Sequence, residues 1–167
     1  DKNHPDEPLL SVTQKQSVVK RDELENRVWN PDSDVSGYKL IKDGDFVISL
    51  RSFEGGIELS KIQGIVSPVY TTMFRKRDIG DQYYKYLLKS TDFITELNKI
   101  TTGIRQGKNI SYEDFSNIYI PFPKVNEQIK IGNYINTKIQ QIDELIEKTE
   151  QKIKLLKEKR TSLINHC

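Results

Sequence analysis

PFPKVNEQIKIGNYINTKIQQIDELIEKTEQKIKLLKEKRTSLIN, residues 121–165, is the stretch on which the fold turns. Beyond Pro123 it holds no proline and a single glycine, Gly132, so it reads as one continuous helix. Within it Ile135, Ile139, Ile142, Ile146, Thr149, Ile153, Leu156, Arg160 and Leu163 recur at alternating steps of four and three, the spacing of a coiled-coil seam. Asn126 is placed to cap this helix, and Glu127 sets a negative charge in its first turn. From Asn126 to about Asn165 it would run roughly 60 Å. A helix of that length beside a modest globular part cannot bury its own stripe, so a partner helix is expected on Ile135, Ile139, Ile142, Ile146, Ile153, Leu156 and Leu163.

Charge sets the direction expected of that partner. The middle of the helix carries Asp143, Glu144, Glu147 and Glu150 with Lys148, and its end carries Lys152, Lys154, Lys157, Lys159 and Arg160 with Glu158. An antiparallel twin brings acidic block towards basic block, whereas a parallel in-register twin sets like against like. The competing reading is a pair of solvated helix faces held by intrahelical pairs such as Glu144 to Lys148.

Working back from Pro121-Phe122-Pro123, short β-branched and aromatic runs alternate with Gly, Asp and Asn turns. Leu9 to Thr13 predicts a strand, with Val18-Val19 as its continuation beyond the polar Gln14 to Ser17, and Arg21 to Arg27 a charged turn or short helix. Lys42 to Asp45 is a turn. Phe46 to Phe53 is the clearest strand, with Phe46, Ile48 and Leu50 on one face and Val47, Ser49 and Arg51 on the other, and Glu54-Gly55-Gly56 turns it. Ile65 to Phe74 predicts another strand, with Pro68 marking an edge or a break. One helix follows from Asp81 through Leu88, and a second, capped by Thr91 or Asp92, carries Phe93, Ile94, Leu97 and Ile100. Thr101 to Asn109 is a loop, Ser111-Tyr112-Glu113-Asp114 resembles a capping box, and Ile118-Tyr119-Ile120 predicts a closing strand. The expected fold is α+β: a compact mixed-sheet domain with short helices over residues 1–122, followed by a long spacer or dimerisation helix over 123–167.

Composition limits what such a chain does. Its 167 residues suit one domain plus an appended element, and 35% hydrophobic against 30% charged residues, with no long apolar run, predicts a protein without a membrane span. One cysteine, Cys167, forbids an internal disulfide, and with no basic-then-apolar leader the expected location is cytoplasmic. His4, His166 and Cys167 are the only His and Cys residues, too few for a His/Cys zinc site or a Cys/His catalytic pair. No Gly-rich nucleotide loop, nucleophile elbow or amino-methyltransferase Asn-Pro-Pro-aromatic loop is present. A nuclease reading from Pro31-Asp32 finds only Glu150-Gln151-Lys152 as its later acidic-x-Lys triplet, well along the helix. The search for catalytic residues is therefore mostly negative, and several enzyme classes are removed.

A net charge of +2 does not by itself argue for nucleic acid, so the case rests on local clusters. Arg105, Gln106, Lys108 and Asn109 share one Gly-punctuated loop and are side-chain types that hydrogen-bond base edges and phosphates. Lys15, Gln16, Lys20 and Arg21 form a second polar and basic group, and Arg51-Ser52 a third at a strand end. Arg75 and Lys76, in the run ending at Arg77, suit phosphate contact or an ordinary surface turn beside Asp78 and Asp81. Tyr83, Tyr84 and Tyr86 read as core and rim rather than a stacking platform.

In order along the chain, Leu9 to Gln16, Gly44 to Gly56, Gly64 to Tyr70, Gly103 to Lys108, and Ile120-Pro121-Phe122-Pro123 followed by Glu127-Gln128 resemble the target recognition domains and spacer helices of type I restriction-modification specificity subunits. Ile142-Asp143 and Leu163-Ile164 extend the resemblance to the helix end. It covers nearly the whole chain; each motif is weak and the ordered set is specific. It implies a subunit that recognises double-stranded DNA without catalysis, in which two recognition domains read the halves of a split target and two long helices pair antiparallel between them. Methyltransferase subunits dock there, a restriction subunit joins, and S-adenosylmethionine, Mg²⁺ and ATP belong to those partners. This chain departs from that pattern in having one domain and one helix. It resembles half a specificity subunit, either a C-terminal half or a natural half that dimerises. The family's reading loops map onto Lys15-Gln16, Arg51-Ser52 and Arg105 to Asn109. The alternative is an assembly or dimerisation scaffold that touches no DNA.

Overall fold

The computed structural model describes residues 2–14, 16–24, 34–49, 53, 55–101 and 110–165. Seven short strands precede four helices: β1 (Leu10–Thr13), β2 (Ser17–Lys20), β3 (Lys39–Ile41), β4 (Phe46–Ser49), β5 (Glu58–Leu59), β6 (Gly64–Val66), β7 (Tyr70–Met73), α1 (Asp81–Leu87), α2 (Thr91–Lys99), α3 (Tyr112–Ser116) and α4 (Val125–Asn165). The class is α+β, as expected. The sheets are three small antiparallel ones, β1-β2, β3-β6 and β5-β4-β7, rather than one mixed sheet; the parallel pairing among the described residues is an isolated bridge between Leu9 and Ile65.

β4 explains how strands this short hold together. Side chains alternate along it, so Phe46 and Ile48 enter a core with Phe53, Leu59, Tyr84, Leu88, Phe93, Leu97 and Phe115, while Val47 enters a second core with Leu10, Val18, Ile41 and Val66. The expected alternation of Phe46 and Ile48 against Val47 is observed, and both faces are covered: Val47 is fully buried because β1, β3 and β6 pack over it. Residues 50–52, including Leu50 and Arg51, lie outside the described residues.

The run predicted as one strand from Ile65 to Phe74 breaks where Pro68 stands. β6 pairs with β3, Ser67 carbonyl accepts from Tyr70 N–H at 3.1 Å across the corner, and β7 then pairs with β4 in another sheet. Proline has no N–H to give to a ladder, so the chain changes sheets there. Gly44 in the turn before β4 has φ of +88°, a backbone region that L side chains rarely adopt.

Three boundary expectations are corrected. The cap of α2 is Ser90, whose hydroxyl accepts from Phe93 N–H at 3.2 Å, which leaves Thr91 and Asp92 inside the first turn. α4 starts before Asn126, because Lys124 carbonyl already accepts from Gln128 N–H at 3.0 Å. Ile118 to Ile120 forms no strand: Ile118 N–H is used by Phe115 carbonyl to close α3, Pro121 and Pro123 have no N–H, and Tyr119 is 99% exposed. The expected caps elsewhere form, with Ser111 hydroxyl accepting from Asp114 N–H at 3.0 Å.

Candidate nucleic-acid interface

The hairpin of β1 and β2 carries the first candidate group. Its turn is tight: Gln16 N–H donates to Thr13 Oγ1 at 3.0 Å, Ser17 takes φ of +62°, and Ser17 hydroxyl donates to Leu59 carbonyl at 3.0 Å. Gln16 is thus exposed on a backbone anchored at both sides. Next to it Gln14 lies against Gly55, where a Cβ would come within 2.4 Å of Gln14 Cγ. That contact joins the hairpin turn to the segment after β4.

Between them opens a cleft of about 200 Å³, lined by Thr13, Gln14, Ser49, Gly56, Glu58 and Tyr70 among others. Glu58 is 4% exposed at its side chain and pairs with Lys89 Nζ at 2.6 Å. Buried carboxylates survive in proteins only when paired, and here Lys89, just past the end of α1, supplies the partner from the other side of β5. Neither residue stands out in the sequence, because a Glu and a Lys separated by β6, β7 and α1 form no local pattern.

The remaining candidate residues are dispersed. Lys20 is exposed at the open end of the hairpin, 3.9 Å from Glu23, and Arg21 Nε donates to Ser11 Oγ at 3.2 Å. Arg75 is at the far end of β7 from the cleft, since Tyr70 pairs with Ser49 and Met73 with Phe46. One of its Nη atoms donates to both carboxylate oxygens of Asp81, at 2.9 and 3.0 Å, at the start of α1. Its charge is therefore already matched. Lys76 is exposed beside it, and Arg77 lies over the Phe122 ring at 5.3 Å. Lys15, Arg51, Ser52, Arg105, Gln106, Lys108 and Asn109 lie outside the described residues. What the structure brings together is the hairpin turn and the Gly55-Gly56 segment; it does not bring Arg75 and Lys76 to them.

The seam lies on a projecting helix. Ile135 is half-buried against the domain, whereas Ile139, Ile142, Ile146, Ile153, Leu156 and Leu163 are exposed along α4. Glu144 and Lys148 approach at 3.9 Å with both side chains mostly in water, a contact worth a few tenths of a kcal/mol at this spacing.

Where α4 meets the domain, the chemistry is polar and tightly fitted, and sequence reasoning missed it. Gln128 is fully buried: its Oε1 accepts from Gly80 N–H at 2.7 Å and its Nε2 donates to Pro123 carbonyl at 2.7 Å. Asn136 accepts from the Tyr86 hydroxyl through Oδ1, and Nδ2 faces Gln82 Oε1 at 3.4 Å. Tyr84 hydroxyl donates to Pro121 carbonyl at 3.2 Å. Burial pushes the hydroxyl pKa of Tyr83, Tyr84 and Tyr86 upward. The one readable signal was Gly132, since a glycine inside a helix costs about 1 kcal/mol and usually marks close packing.

Among the described residues no three His, Cys, Asp or Glu side chains gather as a metal site, and no helix is long and apolar enough to cross a membrane. Searches against protein-family models and curated proteins return no match.

Proposed function

We propose that the chain is a sequence-specific DNA-recognition module of a type I restriction-modification complex, reading one half of a split target and itself non-catalytic. The observation that carries the reading is the exposed apolar stripe of α4 projecting from a small β-rich domain whose hairpin turn presents Gln16 beside a polar cleft. A stripe of this kind supports a partner helix, and its acidic middle and basic end favour the antiparallel direction. A helix of about 60 Å spans roughly 17 base pairs, a separation suited to two reading heads on one duplex. Methyltransferase and restriction subunits are the proposed further partners and would bring S-adenosylmethionine, Mg²⁺ and ATP.

The test is DNA binding and methylation by the reconstituted complex, with an Arg105→Ala/Lys108→Ala double variant beside the parent. The expected result is site-specific binding that weakens with salt and is lost in the variant. Unchanged methylation and binding in the variant would overturn the loop assignment, and a complex without salt-sensitive DNA binding would overturn the function. That second outcome favours a protein-only scaffold, which the apolar cleft lined by Phe74, Ile79, Ile120 and Phe122 also supports.

A further inference from the structure

The seating of α4 on α1 is more specific than burial of a helix requires. Gly80 and Gly132 lie where the two helices meet: a Cβ on Gly132 would stand 2.9 Å from Gln82 Cβ and 3.0 Å from Tyr83 N, and one on Gly80 would stand 2.8 Å from Gln128 Cβ. Glycines let the backbones approach this closely, and the close approach leaves little freedom to slide or roll. Gln128 then bonds at once to the segment before α1 and to the segment before α4, while Asn136, two turns further on, ties to Tyr86 and Gln82. A single contact point would act as a hinge; two polar ties separated along the axis, with glycine contact between them, resist bending and twist.

We infer that this joint is an angle-setting device, with Gln128, Gly132 and Asn136 as positioning residues that hold the projecting helix at one orientation to the domain. Its use in spacing two reading heads rests on the function proposed above; its rigidity does not. The lever is long. From Gly132 to Lys159 is about 40 Å of helix, so a change of about 10° at the joint moves the tip by about 7 Å, roughly two base-pair steps. Loosening the joint would therefore leave each head able to read its half-site and would relax the preferred gap between the halves.

The test uses the full chain with Cys167→Ser and spin labels at Asp22→Cys, on the exposed turn after β2, and Lys159→Cys on α4, diluted with excess unlabelled chain so that only distances within one chain are read by pulsed dipolar spectroscopy. Gln128→Met keeps the volume and removes both amide bonds. Asn136→Leu is the second variant, at a half-buried position where loss of fold is less of a risk. The expected result is a narrow distance distribution in the parent chain and broadening by several Å in each variant with helicity unchanged. A parent distribution already as broad, or variants that melt earlier with unchanged width, would overturn the inference. In the reconstituted complex, targets whose gap differs by single base pairs should be discriminated by the parent and accepted more evenly by the variants. A parent complex that binds no split site would refute the DNA function while the distance measurement still decides the joint.

Discussion

Replacing Lys89 by Met strips the buried Glu58 carboxylate of its 2.6 Å partner while keeping the length of the aliphatic stem. Removing one member of a buried ion pair costs about 3–5 kcal/mol, because the remaining charge stays out of water. Here the lower end applies, because the Lys89 side chain is 27% exposed. A loss of about 3 kcal/mol corresponds to a melting-temperature drop of roughly 6–12 °C for a chain of this size. The assay is thermal unfolding followed by near-ultraviolet circular dichroism, whose tyrosine signal reports the packed domain rather than the projecting helix. The double variant Glu58→Leu/Lys89→Met should recover most of the stability, since two apolar groups need no pairing. A deficit under about 1 kcal/mol at neutral pH would refute the assignment of Glu58 and Lys89 as a desolvated pair.

Gly132→Ala should destabilise the domain by about 1 kcal/mol in the same melt, because overpacking of about 1–3 kcal/mol against Gln82 and Tyr83 outweighs the gain of about 1 kcal/mol in helix propensity. Tyr83, Tyr84 and Tyr86 hold their protons more tightly when folded, so their contribution is intact below pH 10 and is lost as pH rises through and beyond that value; melts from pH 8 to 11 should show the decline, and Tyr86→Phe should reduce it. Burial and the neighbouring Lys2 shift Lys39 downward, so this residue alone favours the fold more as pH rises towards its ordinary value. Light scattering across concentration should give a dimer for the parent chain and a monomer for Ile139→Asp/Ile146→Asp/Ile153→Asp, with the domain melt unchanged because those positions lie on the projecting, exposed part of α4.

How much of this was legible beforehand follows from the range of the interactions involved. α4 and its apolar stripe were readable because a helix bonds to itself every four residues and its apolar period is written locally. The hairpin of β1 and β2 and the caps of α2 and α3 depend on residues a few positions apart, and only their exact ends shifted. Two strands in place of one around Pro68 followed from its missing N–H.

Residue types alone marked out polar and basic clusters but not their grouping. Arg75 reads like a phosphate contact in isolation, and only the folded chain sets Asp81 against it and β7 between it and the cleft. Gln128 and Gly80 are 48 positions apart, and nothing near either announces the other. Glu58 becomes a buried charge only because β5 packs where Lys89 ends its turn. Local sequence thus determined which elements form and which face of the last helix is apolar, since those are properties of neighbours along the chain. Tertiary structure alone decided that β4 has two dry faces, that Glu58 and Lys89 pair, and that a glutamine and two glycines lock the projecting helix, because each depends on groups that meet only after the chain has folded.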